Sequence, residues 1–195
     1  TDVRGRAALA YAAKNGNAEI IRLIRDYGAD IYLADKDGKQ PVVYAIEQGN
    51  AEAFDLLTDG FMLFGSAVGR NGKTVLMYAI EGGNVQILRK VMDRGLTTLN
   101  KKDRFGRTAL MYAAGSGRDA AARLLAEKGA KTGEADYEGK TVLMYAAEGG
   151  DIGKVRLLLA AGANASVQTQ DGKTAADFAK GNGKCFADAV RKLLK

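Results

Sequence analysis

A glycine recurs along the whole chain at intervals of 33 or 34 residues. Each copy is followed by the same pattern of apolar residues. The six glycines are Gly5, Gly38, Gly72, Gly106, Gly139 and Gly172. A period this regular predicts a stack of similar supersecondary units, because a unit of this size cannot bury its apolar surface alone.

The segment from Asp136 to Ala163 is the clearest copy of the repeated unit. Asp136–Gly139 has the composition of a turn, and Thr141 is a favourable N-cap for the helix that follows. Two segments then place apolar residues on one helical face, and glycines end both segments. They hold Leu143, Ala146 and Ala147 before Gly149-Gly150, and Ile152, Val155, Leu158 and Leu159 before Gly162. The predicted unit is turn, helix, turn, helix.

Three of the turn glycines open almost identical segments. These are G-K-T-V-L-M-Y-A (Gly72 to Ala79), G-R-T-A-L-M-Y-A-A (Gly106 to Ala114) and G-K-T-V-L-M-Y-A-A (Gly139 to Ala147). The chain resembles the ankyrin repeat family, whose pattern is D-x-x-G-x-T-P-L-H-x-A-A followed by a helix ending L-L-x-x-G-A. Here an L-M-Y-A variant stands in place of L-H-x-A within the T-P-L-H-x-A signature, with Met77, Met111 and Met144 at the family's histidine position. We expect these methionines to fill the space between helices without the hydrogen bonds that histidine makes to the turns.

The resemblance covers essentially all 195 residues. It implies an all-α solenoid of stacked helix-turn-helix units with protruding turns or β-hairpin fingers, forming one domain over residues 1–195. Repeats one to six span approximately residues 2–34, 35–69, 70–102, 103–132, 136–168 and 169–195. Pro41, the only proline, lies where repeat two should begin its first helix, a position that suits proline.

The composition argues against catalysis and metal binding. The chain has no histidine and one cysteine, Cys185, so it lacks the commonest general base and cannot form an internal disulfide or a His/Cys zinc site. Carboxylates are scattered along the turns. We therefore predict a protein that is not an enzyme and has no catalytic residues, no cofactor and no metal.

The G-K-T tripeptides at Gly72, Gly139 and Gly172 do not form a phosphate-binding loop. Such a loop needs a glycine five positions earlier. Those positions hold Ala67, Glu134 and Val167. Gly115-Ser116-Gly117 is too short a match to indicate a dinucleotide-binding fold.

The formal net charge is +6, and a cation follows every turn glycine. This basic row consists of Arg6, Lys39, Lys73, Arg107, Lys140 and Lys173. One interpretation is a set of ordinary solvated turn tips, partly neutralised by nearby aspartates and glutamates. The other is a surface that binds an acidic ligand, with nucleic acid or another anionic surface as the alternative partner.

An aromatic row also follows the repeat. It consists of Tyr11, Tyr44, Tyr78, Tyr112, Tyr145 and Phe178. We interpret it as a packing ladder between stacked helices, half buried, with the hydroxyls directed toward water.

The resemblance implies a protein partner that docks on the concave face formed by turn tips and first helices. Aromatic and arginine residues dominate the energetics of such interfaces. We therefore centre the predicted site on the adjacent tips of repeats four and five, with the basic row beside it and an apolar run in repeat two as a second region. The predicted partner-binding residues are Arg104, Phe105, Arg107, Tyr137, Lys140, Lys73, Lys39, Phe61 and Phe64. The run at Phe61 and Phe64 has a second interpretation, a repacked loop.

The two ends differ in polarity. Repeat six carries charged residues in both predicted helices, as a solvent-facing cap should. The first helix of repeat one is apolar nearly all round. Either preceding residues are missing, another surface covers the helix, or small alanines are tolerated there. We expect a monomer, with association through repeat one as the alternative.

No apolar run approaches the roughly 20 residues that cross a membrane, so we expect no membrane insertion and no small-molecule substrate. The single cysteine and the lack of a targeting segment favour the cytoplasm. The chain begins with Thr1 rather than methionine. We interpret this as a truncated or processed start, which leaves a secreted or periplasmic location open.

Overall fold

The structure, a computed structural model, describes residues 1–3, 6–59, 69–94 and 99–194. The chain divides into two compact units, Thr1–Thr98 and Leu99–Lys195. The first unit contains the helices α1 Ala8–Asn15, α2 Ala18–Asp26, α3 Pro41–Glu47, α4 Ala51–Thr58, α5 Val75–Gly82 and α6 Val85–Arg94. The second contains α7 Ala109–Gly115, α8 Asp119–Glu127, α9 Val142–Glu148, α10 Ile152–Ala160, α11 Ala175–Phe178 and α12 Lys184–Leu193, with a 3₁₀ helix Ala179–Asn182 after α11.

Each predicted repeat contributes one pair of helices, three pairs to each compact unit. Pro41 is the first residue of α3, as predicted. Between the pairs lie turns rather than strands in the part of the chain that is described, with an isolated antiparallel bridge between Ala135 and Thr141. The all-α, stacked helix-turn-helix class is confirmed. That all six repeats form one domain stays a prediction.

The core of each compact unit consists of the inner faces of its helices. In repeat five, Leu143, Ala146 and Ala147 of α9 are buried, and so are Val155 and Leu158 of α10. These residues belong to the two predicted apolar faces, so the predicted helical phase is confirmed. The other two residues predicted for the second face, Ile152 and Leu159, are half-buried.

A methionine takes part in capping the first helix of repeat three. The N–H of Met77 donates to Thr74 Oγ1 at 3.3 Å, and the N–H of Thr74 donates back to Met77 Sδ at 3.4 Å. Met111 and Met144 accept the threonine N–H in the same way at 3.4 Å. The methionines thus take part in the helix caps, which the sequence did not predict: the thioether sulfur is a weak acceptor placed over an N–H that would otherwise be unpaired.

The second helix of repeat three is capped by an asparagine that also joins it to the preceding repeat. Asn84 Oδ1 accepts the N–H of Ile87 at 3.2 Å, while its Nδ2 donates to the carbonyl of Gly49 in the preceding repeat at 2.9 Å. Gly49 has φ 69°, and a Cβ there would lie 3.2 Å from Asn84 Nδ2. Glycine is thus required both by the left-handed backbone and by the close approach of the next repeat.

Leu143→Ala should lower the free energy of unfolding by about 2–5 kcal/mol, because Leu143 is buried and the truncation leaves a cavity. Urea denaturation of both proteins measures the change. The half-buried Leu157 in α10 gives a matched Leu→Ala control that should lose less. Equal losses at the two sites would contradict the assigned helical phase.

Candidate protein-binding surface

In repeats two, four and five, the turn tip is held by a carboxylate at its first position. In repeat five, Asp136 Oδ1 accepts the N–H groups of Glu138 and Lys140 at 3.0 and 2.8 Å. The backbone closes the same turn, since the N–H of Asp136 donates to the carbonyl of Lys140 at 3.0 Å. Asp35 and Asp103 hold their turns with the same pair of bonds. The tips are therefore rigid turns rather than loose loops.

The second carboxylate oxygen of each aspartate binds a tyrosine of the following helix. The Tyr145 hydroxyl donates to Asp136 Oδ2 at 2.7 Å, and the Tyr112 hydroxyl donates to Asp103 Oδ2 at 2.8 Å. The same pair forms between Tyr11 and Asp2 and between Tyr44 and Asp35. We call this pair the aspartate–tyrosine latch. The expectation that these hydroxyls point toward water is wrong, because the carboxylate nine residues earlier accepts them.

Two repeats lack the aspartate, and their aromatic residues differ accordingly. In repeat three the position is Gly69, and a Cβ there would lie 2.3 Å from the Tyr78 hydroxyl, so the tyrosine fills the space that a side chain would take. In repeat six the position is Thr169, and the aromatic residue is Phe178, which has no hydroxyl to satisfy. Only the repeats that carry the aspartate therefore form the latch.

Burial makes the ionised form of the Tyr78 and Tyr145 side chains unfavourable. Burial raises the pKa of Tyr78 to about 12, with smaller contributions from nearby carboxylates. Burial first, and then the hydrogen bond to Asp136, raises the pKa of Tyr145 well above its ordinary value. Tyr78 and Tyr145 are therefore neutral at neutral pH, and the Tyr145 hydroxyl serves as a hydrogen-bond donor.

All six cations of the basic row make ion pairs within the chain. Lysines reach the glutamate eight residues later: Lys39–Glu47 at 2.5 Å, Lys73–Glu81 at 2.7 Å and Lys140–Glu148 at 2.5 Å. Arginines reach back to the latch aspartate: Arg6–Asp2 at 2.7 Å and Arg107–Asp103 at 3.1 Å. Lys173 pairs with Asp171 at 2.6 Å. The choice of partner follows the sequence, because only Lys39, Lys73 and Lys140 have a glutamate eight residues later. Arg6, Arg107 and Lys173 have Lys14, Gly115 and Gly181 there.

The same cations lie over the aromatic row. The guanidinium of Arg107 is 4.8 Å from the ring centre of Tyr112. Lys140 Nζ lies 4.4 Å from the Tyr145 ring and 4.6 Å from the Phe178 ring of the next repeat. Cation–π contacts at these distances are favourable. The basic row therefore serves to hold tips, first helices and neighbouring repeats together.

The largest exposed apolar side chains of the second compact unit are Phe105 and Tyr137, at adjacent tips. Phe105 is 51% exposed and Tyr137 is 64% exposed. The N–H of Tyr137 donates to the carbonyl of Phe105 at 3.1 Å, and the Arg107 guanidinium lies 4.5 Å from the Phe105 ring. A Cβ at Gly106 would lie 2.8 Å from Tyr137 Cδ1, so the tyrosine ring covers the glycine of the preceding tip.

The other predicted site residues are distributed over the chain. Arg104 is exposed beside Phe105 and forms no ion pair with any described residue. Arg107 and Lys140 lie behind the two aromatic tips, in the pairs given above. Lys73 and Lys39 belong to the first compact unit. Phe61 and Phe64, with both interpretations of their apolar run, lie outside the described residues.

Sequence reasoning missed Gln170, which extends the aromatic tips into repeat six. Its Nε2 donates to the carbonyl of Tyr137 at 2.9 Å, and its N–H donates to the carbonyl of Glu138 at 3.3 Å. The signal was present, since Gln170 occupies the same tip position as Arg104 and Tyr137, two residues before the turn glycine. Three successive tips are thus tied into one surface, which we call the tip surface: Arg104, Phe105, Tyr137, Glu138 and Gln170.

The described residues were also searched for a metal site and for a membrane-spanning helix. They contain no cluster of three or more histidine, cysteine, aspartate or glutamate side chains arranged to hold a metal ion. None of the helices described is both long and apolar enough to cross a membrane.

Tyr145→Phe should lower the free energy of unfolding by about 1.5–3 kcal/mol, because it removes a hydrogen bond to a buried carboxylate. Tyr78→Phe is the matched control, since Gly69 stands where the other repeats have the aspartate. It should change stability much less. Equal effects in urea denaturation would show that the latch contributes nothing beyond ring packing.

Stability should also fall at alkaline pH. The folded state raises the pKa of Tyr78 to about 12, whereas an unfolded tyrosine titrates near pH 10, at about its reference value. The contribution of Tyr78 is therefore complete below pH 10 and decreases as the pH rises to about 12. Tyr78→Phe should flatten the dependence of unfolding free energy on pH in that interval, compared with the unchanged protein. An unaltered slope would contradict the assignment.

Comparison with known proteins agrees with this architecture. The family model for ankyrin repeats in three copies matches residues 1–62 and 60–136, and the model for a single ankyrin repeat matches residues 138–170. A comparison with functionally curated proteins finds no significant sequence match.

Similar solved structures belong to the same family. An ankyrin repeat domain from Acinetobacter baumannii AYE is 28% identical, with a TM-score of 0.79 and 95% of each chain covered. The ankyrin repeat domain of Bcl-3, described as a unique member of the IkappaB protein family, is 26% identical, with a TM-score of 0.80. That match covers 97% of this chain and 85% of the Bcl-3 chain. Since the family models span most of the sequence, the chain belongs to the ankyrin repeat family.

Proposed function

We propose that this protein is a non-enzymatic scaffold that binds another protein through the tip surface of repeats four to six. Ankyrin repeats generally serve as protein–protein interaction modules. The partner would approach the face formed by tips and first helices, the face that is concave in this family. Phe105 and Tyr137 would be its principal contacts.

The observation that carries this proposal is the exposed aromatic pair at adjacent tips. Phe105 and Tyr137 are half or more exposed, yet both stand on backbone fixed by hydrogen bonds. A rigid aromatic side chain loses little conformational entropy when a partner covers it, and such residues are enriched among the strongest contacts of interfaces. Their exposure leaves them little role in stabilising the fold.

Polar groups around the pair suit a protein interface. Arg104 and Glu138 are exposed and of opposite charge, and the amide of Gln170 lies beside Tyr137. An apolar centre with a mixed polar rim is the usual composition of a protein–protein contact. A surface for nucleic acid would instead need a continuous positive stripe.

The alternative, an anionic ligand on the basic row, receives less support. All six cations of the row are paired with carboxylates, and five of them also lie against aromatic rings. A phosphate would have to displace those carboxylates. The cost of breaking the pairs would reduce the gain from releasing counterions.

The combined substitution Phe105→Ala and Tyr137→Ala should abolish partner binding while leaving the melting temperature nearly unchanged. The measurement is affinity capture from a lysate of the source organism at low and high salt, together with thermal denaturation. Tyr27→Ala, which removes an exposed tyrosine in repeat one, is the matched control and should retain the partner.

A large loss of thermal stability in the double variant would show that the two rings are structural. Capture of nucleic acid alone, lost steeply as salt increases, would favour the basic row over the tip surface. A protein captured equally well by the double variant would place the binding site elsewhere.

A further inference from the structure

Repeat four lacks a carboxylate that three other repeats place beside the basic row. In repeat five, Lys140 pairs at 2.5 Å with Glu148, the last residue of the first helix, and repeats two and three form the equivalent pair. In repeat four the cation is Arg107, and the residue eight positions later is Gly115. A Cβ at Gly115 would lie 3.3 Å from Tyr145 Cδ1. The ring of Tyr145 thus borders the place where the other repeats have their glutamate.

Arg107 uses only part of its guanidinium within the chain. Its Nε and Nη2 both lie 3.1 Å from Oδ2 of Asp103, a carboxylate whose side chain is fully buried. Its Nη1 forms no hydrogen bond with any described residue, and the arginine side chain is 29% exposed. A guanidinium has five N–H donors in a planar fork, so it can bind two carboxylates at once. A second carboxylate can therefore bind Arg107 without displacing Asp103.

Positive charge is concentrated in the same repeat. Residues 103–132 carry six lysines and arginines against three acidic residues, whereas residues 136–168 carry three against four. Arg104, at the tip of repeat four, is exposed and forms no ion pair with any described residue. This part of the tip surface therefore attracts an acidic group.

Repeats one and six also lack the glutamate, but they do not offer the same site. Lys14 occupies its position in repeat one, which belongs to the other compact unit and not to the tip surface. In repeat six, Lys173 lies 2.6 Å from Asp171 of its own tip, so its charge is compensated there. Repeat four is thus the place on the tip surface where cations adjoin a vacant carboxylate position.

We propose that the partner of the tip surface presents an aspartate or glutamate whose carboxylate binds Arg107 and Arg104 beside Gly115. An apolar residue next to it in the partner contacts Phe105 and Tyr137, which are exposed at the adjacent tips. The partner's carboxylate takes the place that the chain's own glutamate takes in repeats two, three and five. This inference rests on the proposed function and specifies the chemistry of the partner, an acidic protein segment with an apolar residue.

The test uses the intact protein and a phage-displayed library of random peptides. Peptides that bind the unchanged protein should be enriched in aspartate or glutamate next to an aliphatic or aromatic residue. Exchanging that acidic residue for its amide in a synthetic peptide should raise the dissociation constant about tenfold or more, because one half of a charge pair is lost. Fluorescence anisotropy measures the dissociation constants.

Gly115→Glu should also weaken the binding of these peptides about tenfold or more, because it supplies Arg107 with a carboxylate from within the chain. Gly115→Gln is the matched control, since it has nearly the same shape without the charge, and should weaken binding less than about threefold. Gly115 is the last residue of α7 and has no positive φ, so both side chains suit its backbone. Thermal denaturation of the two variants should show that the fold is retained.

Arg104→Gln should weaken the same peptides, because it removes the second cation of the site. Arg123→Gln removes the same charge from an exposed arginine on α8, the second helix of the same repeat, and should leave the dissociation constant unchanged. This pair separates a contact at the tip from the general effect of a lower net charge.

Three results would overturn the inference while leaving the proposed function in place. They are peptides that require Phe105 and Tyr137 but show no enrichment in acidic residues, equal weakening by Gly115→Glu and Gly115→Gln, and equal weakening by Arg104→Gln and Arg123→Gln. A selection in which no peptide depends on the two aromatic rings would contradict the proposed function as well.

Discussion

The pairing of one carboxylate with both a turn and a helix is the interaction on which the tips depend. Oδ1 of the latch aspartate holds two N–H groups of its own turn, and Oδ2 accepts a tyrosine hydroxyl from the helix that follows. A cation beside the turn then covers the tyrosine ring. The tip, the first helix and the neighbouring repeat are thereby fixed together by side chains that recur with the repeat.

This arrangement determines which residues are available for binding. In the sequence, the cations of the basic row resemble a recognition surface. In the structure, they form ion pairs with carboxylates of the same chain. Phe105 and Tyr137 differ from these cations, because their backbone is fixed by a hydrogen bond while their rings remain exposed. A rigid support beneath an exposed aromatic side chain is the combination that a tight interface requires.

The sequence predicted the fold because the 33- or 34-residue period repeats every structural signal several times. Helix ends, the Leu143 face and the position of Pro41 followed from spacing alone. The tyrosine hydroxyls were misjudged, since their aspartate partners lie nine residues earlier, across a turn, and spacing does not give distances. The part that the methionine sulfurs take in the helix caps was not anticipated either. Repeat six held a clue to the aspartate–tyrosine latch. It has Phe178 in place of tyrosine and Thr169 in place of aspartate, so the hydroxyl is missing where the aspartate is missing. Three residues of the tip surface, Arg104, Phe105 and Tyr137, were predicted from position, whereas Glu138 and Gln170 were added from the structure; that this surface binds a partner stays a prediction.

The most direct measurement is site-specific photo-crosslinking in the source organism, with a photoreactive amino acid in place of Tyr137. Lys36, at the equivalent tip position of repeat two, provides the control site because it is also exposed. Our account predicts a discrete protein adduct from position 137 and little or none from position 36. Equal adducts from both sites, or adducts to nucleic acid from position 36 alone, would contradict a protein-binding surface centred on the aromatic tips.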